Sequence, residues 1–259
     1  MRVFIEGVGV IGPGLEGWPA TQPVLTGAAR YEPRPVRPPP IALLPPAERR
    51  RAGTTVKLAI AAGIEALAQA GRNPVEMSMV FAASGGDGET VHETLNVLAT
   101  AQREVSPTRF HNSVHNAPAG YWSVATGSRA PSTSLSAFDD SFGAGMLEAA
   151  VQATVQGDPV TLIAYDVPYP EPLHAARPIV SAFGMALVLA PRRTERVLAS
   201  LTLTTTDAVS PATTMMDPEL ERLRLGNPAA RALPLLAAIA RGDAVTIRLG
   251  GFDIEVGPP

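Results

Sequence analysis

His111 and His115 stand four residues apart, a spacing that puts two imidazoles on one helix face, and Asp139-Asp140 supplies adjacent carboxylates further along. Such a set could hold a metal or run acid–base chemistry, His111 or His115 acting with Asp139 as a dyad in a hydrolase or decarboxylase. The stretch His111-Asn112-Ser113-Val114-His115 lacks the glutamate of His-Glu-x-x-His, so no metal is expected and packing or pocket-lining roles are the plainer reading. Ser134, Ser136 and Ser141 could be nucleophiles, but none lies in Gly-x-Ser-x-Gly. Gly7-Val8-Gly9-Val10-Ile11-Gly12 matches the spacing that cradles a dinucleotide pyrophosphate, yet Pro13-Gly14 follows at once and no helix opens there. Strand end and turn explain it better, and no cofactor is expected. The chain has no cysteine, which removes thiolate ligands, disulfides and cysteine nucleophiles together.

With 259 residues, 46% hydrophobic and 17% charged, the chain can bury a full core, and a net charge of -3 gives no field that would gather nucleic acid. The amino terminus, Met1-Arg2-Val3-Phe4-Ile5-Glu6, reads as a strand and not as a signal peptide or membrane span; a cytoplasmic location is expected.

The positioning elements follow from periodicity and punctuation. Val3 to Ile11 predicts a buried strand, and the proline- and arginine-rich segment 20–52 predicts an extended loop. Thr54 or Thr55 can cap a helix over 56–70 that stops at Gly71. A short strand over 79–83 leads into Ser84-Gly85-Gly86-Asp87-Gly88; Thr90 and Glu93 fit a capping box for a helix over 91–101. A helix over 113–126 and a strand over 132–137 precede a helix over 143–155, with Asp139 or Asp140 as its cap. Strands are predicted over 160–165, 182–189 and 196–206, the last two as an adjacent antiparallel pair. Asp217-Pro218 starts a helix, a second runs over 229–241, and Gly250-Gly251 joins two strands in a hairpin.

In this order the elements resemble the amino-terminal half of a β-ketoacyl synthase, a layered α/β/α thiolase-like fold. The resemblance rests on the opening strand, the helix ending at Gly71, the strand and glycine loop of 80–88, and Ala130-Pro131-Ser132-Thr133-Ser134-Leu135-Ser136-Ala137-Phe138-Asp139-Asp140-Ser141, which is similar to the family's strand into its nucleophile elbow. The resemblance implies a catalytic cysteine at the position of Asp139, where an aspartate cannot form the acyl thioester. Active members also carry a second half with two catalytic histidines; no histidine here is followed by Gly-Thr and none lies beyond His174. The expected organisation is therefore a synthase-like half over 1–206 and a truncated second half over 207–259.

The phrases running from Arg109 to Trp122 and from Ala164 to Pro170 resemble the short synthase-like subunits of aryl-polyene and xanthomonadin clusters, regarded as chain-length factors. The resemblance implies a non-catalytic partner of an active ketosynthase in type II polyketide synthesis, a heterodimer served by acyl carrier protein. It also implies an interface and tunnel-shaping role for the helix over 113–126, with Asn116, Ala119, Tyr121 and Trp122, and with Phe138 and Ser141 at the elbow. The arginine-rich segment 30–51 could dock the acidic carrier protein.

Overall fold

The computed structural model describes residues 1–206, 211–249 and 251–259. Strand β1 (Arg2–Gly12) is buried along both faces, and helix α3 (Thr54–Ala70) lies directly on it. Two glycines permit that approach: a Cβ at Gly7 would run into the carbonyl oxygen of Ala66, and one at Gly9 into that of Ala62. The glycine spacing that mimics a dinucleotide fingerprint therefore serves helix-on-strand packing.

Around β1 the chain builds a nine-stranded sheet from β2 (Leu15–Glu16), β3 (Ser78–Ala82), β4 (Ser132–Leu135), β5 (Val160–Asp166), β6 (Phe183–Ala190), β7 (Ala199–Thr205), β8 (Val245–Leu249) and β9 (Phe252–Gly257). The order is β4-β3-β5-β6-β1-β7-β9-β8, with β2 folded back on β1; β3 runs parallel to β4 and β5, and the other pairs are antiparallel. The two-residue alternation of a strand separates two cores. Val80, Leu162 and Leu187 face one, beneath α7 (Ser141–Gln156) and α10 (Leu233–Arg241); Phe81, Ile163 and Val188 face the other, beneath α3 and α6 (Ala117–Thr126). The result is the expected α/β/α layering.

Several elements differ from expectation. The 20–52 segment is not all loop: α1 (Trp18–Leu25) begins before it and runs into it, and α2 (Pro46–Arg51) closes it. Pro19 occupies the first turn of α1, where a missing N–H costs nothing, and Trp18 and Leu25 are buried, so the prolines disguised a real helix. β6 and β7 are not neighbours, because the longer, largely apolar β1 inserts between them and pairs with both. The helix expected over 113–126 starts only at Ala117, as α6; a separate short helix not foreseen, α5 (Pro107–Asn112), precedes it, with His115 in the connection. Helix α4 (Gly88–Leu98) is capped by Asp87, whose carboxylate accepts from Thr90 N, while Glu93 pairs with Arg109 at 2.8 Å. The Asp217 cap of α9 (Pro218–Gly226) is as read. β8 and β9 pair, though Gly250 of their turn lies outside the described residues. Through β9 on β7, residues 211–259 extend the same sheet.

Candidate functional site

β3, β4 and β5 end together at one rim of the sheet, and the polar residues gather there. After β4 the chain turns sharply through Phe138, which adopts φ 53, a left-handed conformation uncommon for a bulky side chain. Ser141 fastens the turn: its Oγ accepts from Ala137 N at 3.0 Å and donates to Phe138 O at 2.7 Å, with the side chain buried. Ser141 is thus a brace and not a tunnel surface.

Asp140 occupies the N-cap position of α7, as one of the two expected, but neither carboxylate makes a capping hydrogen bond; both are taken by arginines. Asp139 meets Arg177 at 2.7 Å and Arg231 at 3.4 Å, and Asp140 meets Arg231 at 2.8 Å. The Arg177 guanidinium also sits 3.6 Å above the Phe138 ring, a cation–π contact that holds an aromatic side chain 61% exposed on the surface. Arg177 comes from the segment after α8 (Leu173–Ala176), and Arg231 from the turn before α10. A carboxylate held between two guanidinium groups, and 42% exposed, is an ion-pair hub with no means of carrying an acyl thioester.

Behind the elbow lies Asp166, the last residue of β5 and 4% exposed. Its Oδ1 accepts from Ser84 N at 2.9 Å and from Ser84 Oγ at 2.6 Å, while Oδ2 is buried without a hydrogen bond. Burial pushes the carboxyl up to about 7, outweighing the Ser84 donors and the nearby charge of Arg177. Asn227 closes this corner, donating to the carbonyls of Asp166 and Ser181. Tyr169 packs on Gly85 and Gly88, where a Cβ would collide with its ring or hydroxyl, and burial raises its phenol. Neither Asp166 nor the two arginines stands out in the sequence; the signal is an acid closing the run Val160–Tyr165, apolar but for Thr161.

The histidines and Asp139 do not form a dyad. His115 Nε2 donates to the Ala83 carbonyl at 3.2 Å, His111 stands edge-on to Tyr121, and Asp139 is engaged by arginine. No cluster of three or more metal-ligating side chains occurs among the described residues, and no described helix is long and apolar enough to cross a membrane.

The residues expected along the tunnel divide. Tyr121 and Trp122 point into this chain's own core: Trp122 meets Phe81 edge-on with ring centroids 6.4 Å apart, and Tyr121 Oη donates to Asn112 Oδ1 at 3.1 Å. Periodicity alone did not reveal which face of α6 turns inward. The outward face carries Gly120, Ser123 and Val124, beside Phe110, 68% exposed, and Val114. Asn116 and Ala119, with His115, Ser132 and Ser134, line a shallow cavity of about 340 Å³ between α6 and the edge strand β4.

Residues 25–245 match the family model described as Beta-ketoacyl synthase, N-terminal domain. No match is found among curated proteins. Among solved structures the chain is similar to one in a complex of a ketosynthase, ApeO, with its chain length factor, ApeC, from Xenorhabdus doucetiae (22% identity, 99% of each chain, TM-score 0.73). It is similar to one in the ishigamide ketosynthase/chain length factor (15%, 99% of each chain, 0.69). A β-ketoacyl synthase from Burkholderia phymatum STM815 aligns at 15% identity over 96% of this chain and 75% of its own, with a TM-score of 0.60.

Proposed function

The chain belongs to the β-ketoacyl synthase family by its amino-terminal domain, and from that premise we propose that it is a non-catalytic subunit of the chain-length-factor type, paired with an active ketosynthase. The observation that carries the reading is the elbow. On the family resemblance Asp139 takes the place of the nucleophile, and here it is locked to Arg177 and Arg231; the likeness to ketosynthase/chain-length-factor complexes over whole chains supports a partner subunit.

A partner also suits the exposed rim. β4 is a terminal strand of the sheet, with one row of backbone N–H and C=O groups facing outward, and an extended strand of another subunit can satisfy them. Helix α6, which packs against β4, carries the exposed Val124, and Phe110 and Val114 on the preceding segment are also exposed, apolar surface suited to an interface. In the assembled pair this rim would border the partner's acyl tunnel and set product length. Acyl carrier protein is the expected donor; a similar chain occurs in a complex of a type II polyketide acyl-carrier protein with its ketosynthase, AntDE:AntF. The arginine-rich segment 30–51 remains the docking candidate, although Arg34 and Arg51 are each paired with a glutamate.

Co-expression with the ketosynthase encoded nearest to this chain tests the reading. A one-to-one complex by light scattering, whose condensation rate is unchanged by Asp139→Ala, is the expected result. An Asp139-dependent activity of the isolated chain would overturn it.

A further inference from the structure

The cavity between α6 and β4 is polar where an acyl tunnel would be expected to be greasy. Strand alternation sends Thr133 and Leu135 to the α7 side, where Gln152 Nε2 donates to Thr133 Oγ1 at 2.9 Å and Leu135 packs on the core. Ser132 and Ser134 therefore face α6, and they line the cavity with His115, Asn116 and Ala119. Among the described residues no protein group takes the side chains of Ser132, Ser134 or Asn116; the first and last are exposed and Ser134 is half-buried, so all three are open to solvent or to a ligand. A carbonyl can only accept, so the contact with Ala83 O puts a proton on His115 Nε2. No acidic or arginine side chain lines the space.

We propose that this cavity reads the far end of the growing chain, and that the end it accepts is an uncharged hydrogen-bonding group, a hydroxyl or a carbonyl, and not a methyl. The inference rests on the partner-subunit reading, since the cavity lies on the open rim and becomes enclosed only when another subunit covers β4. Once covered, serine, asparagine and imidazole groups facing a methyl would lose water and gain nothing; facing a hydroxyl or carbonyl they keep their hydrogen bonds. At about 340 Å³ the space exceeds a single water's ~30 Å³ roughly tenfold, enough for a chain end.

The purified pair with the nearest ketosynthase provides the test. Two carrier-bound acyl primers of equal length, one ending in a hydroxyl and one in a methyl, are offered in competition, and the ratio of kcat/KM is read for the wild type and for Ser132→Ala/Ser134→Ala/Asn116→Ala. The wild-type pair should favour the hydroxyl-ended primer by roughly tenfold, the worth of about one net hydrogen bond. The triple variant should bring the ratio near unity while still pairing. A wild-type ratio near unity, or a preference that survives in the variant, overturns the polar-end assignment and leaves the partner reading intact. Failure of the wild-type chains to associate sinks both.

Discussion

Replacing Asp166 by asparagine isolates the effect of one buried proton. The carboxyl is pushed up to about 7 from 3.8 by burial, so near neutrality the folded chain holds a proton that the unfolded chain has released. Its contribution to stability is whole below pH ~4 and is lost as the pH rises through about 7. At about 1.4 kcal/mol per pH unit the loss totals about 4 kcal/mol, a sizeable share of the 5–15 kcal/mol roughly typical of a folded domain. The amide introduced by Asp166→Asn would keep an oxygen for Ser84 N and Oγ and would never ionise. Urea unfolding of both proteins from pH 4 to pH 9, followed by circular dichroism, should therefore give curves that diverge: the wild type loses about 4 kcal/mol relative to Asp166→Asn across this range. Other titrating groups are common to both chains and cancel in the difference. Parallel curves would refute the reasoning that burial dominates over Ser84 and Arg177.

Other outcomes follow from the same geometry. Gly9→Val should cost roughly 3 kcal/mol or prevent folding, because its Cβ has no place beside the Ala62 carbonyl; soluble yield and Tm report it. Arg72→Ala should destabilise by roughly 3 kcal/mol, since it strips the fully buried Glu6 of its bidentate partner at 2.6 and 2.9 Å and leaves only Thr194; denaturant midpoints measure this. Phe110→Glu with Val124→Glu should abolish pairing with the ketosynthase on size-exclusion chromatography while shifting Tm by only a degree or two, as both side chains are exposed.

Local punctuation was readable from sequence wherever one residue carries the physics. Asp217-Pro218 opens α9, and Gly71 and Gly157 end α3 and α7 in the left-handed conformation. What failed required tertiary knowledge. The pairing of β6 and β7 was judged from their adjacency, but strand neighbours are chosen by burial, and the apolar β1 outcompeted the short connection. The family resemblance draws attention to Asp139, but its role as an ion-pair hub is not legible, since Arg177 and Arg231 lie 38 and 92 positions away along the chain. The family resemblance implies partner contacts for Tyr121 and Trp122, and the sequence does not say that they fill this chain's own core.

The insertion of β1 between β6 and β7 also governs how the chain can fold. Ile11 meets Gly184 and Arg2 meets Thr202, so β1 must wait for strands far along the chain to become available. Long-range pairing of this kind makes the entropy of loop closure due before any sheet contact can repay it, which slows folding. Throughout that interval an eleven-residue, largely apolar strand is without its neighbours. Aggregation during synthesis is thus the characteristic hazard of this architecture, and helix α3, which docks on β1 through Gly7 and Gly9 and precedes both partner strands in the chain, can shield it meanwhile.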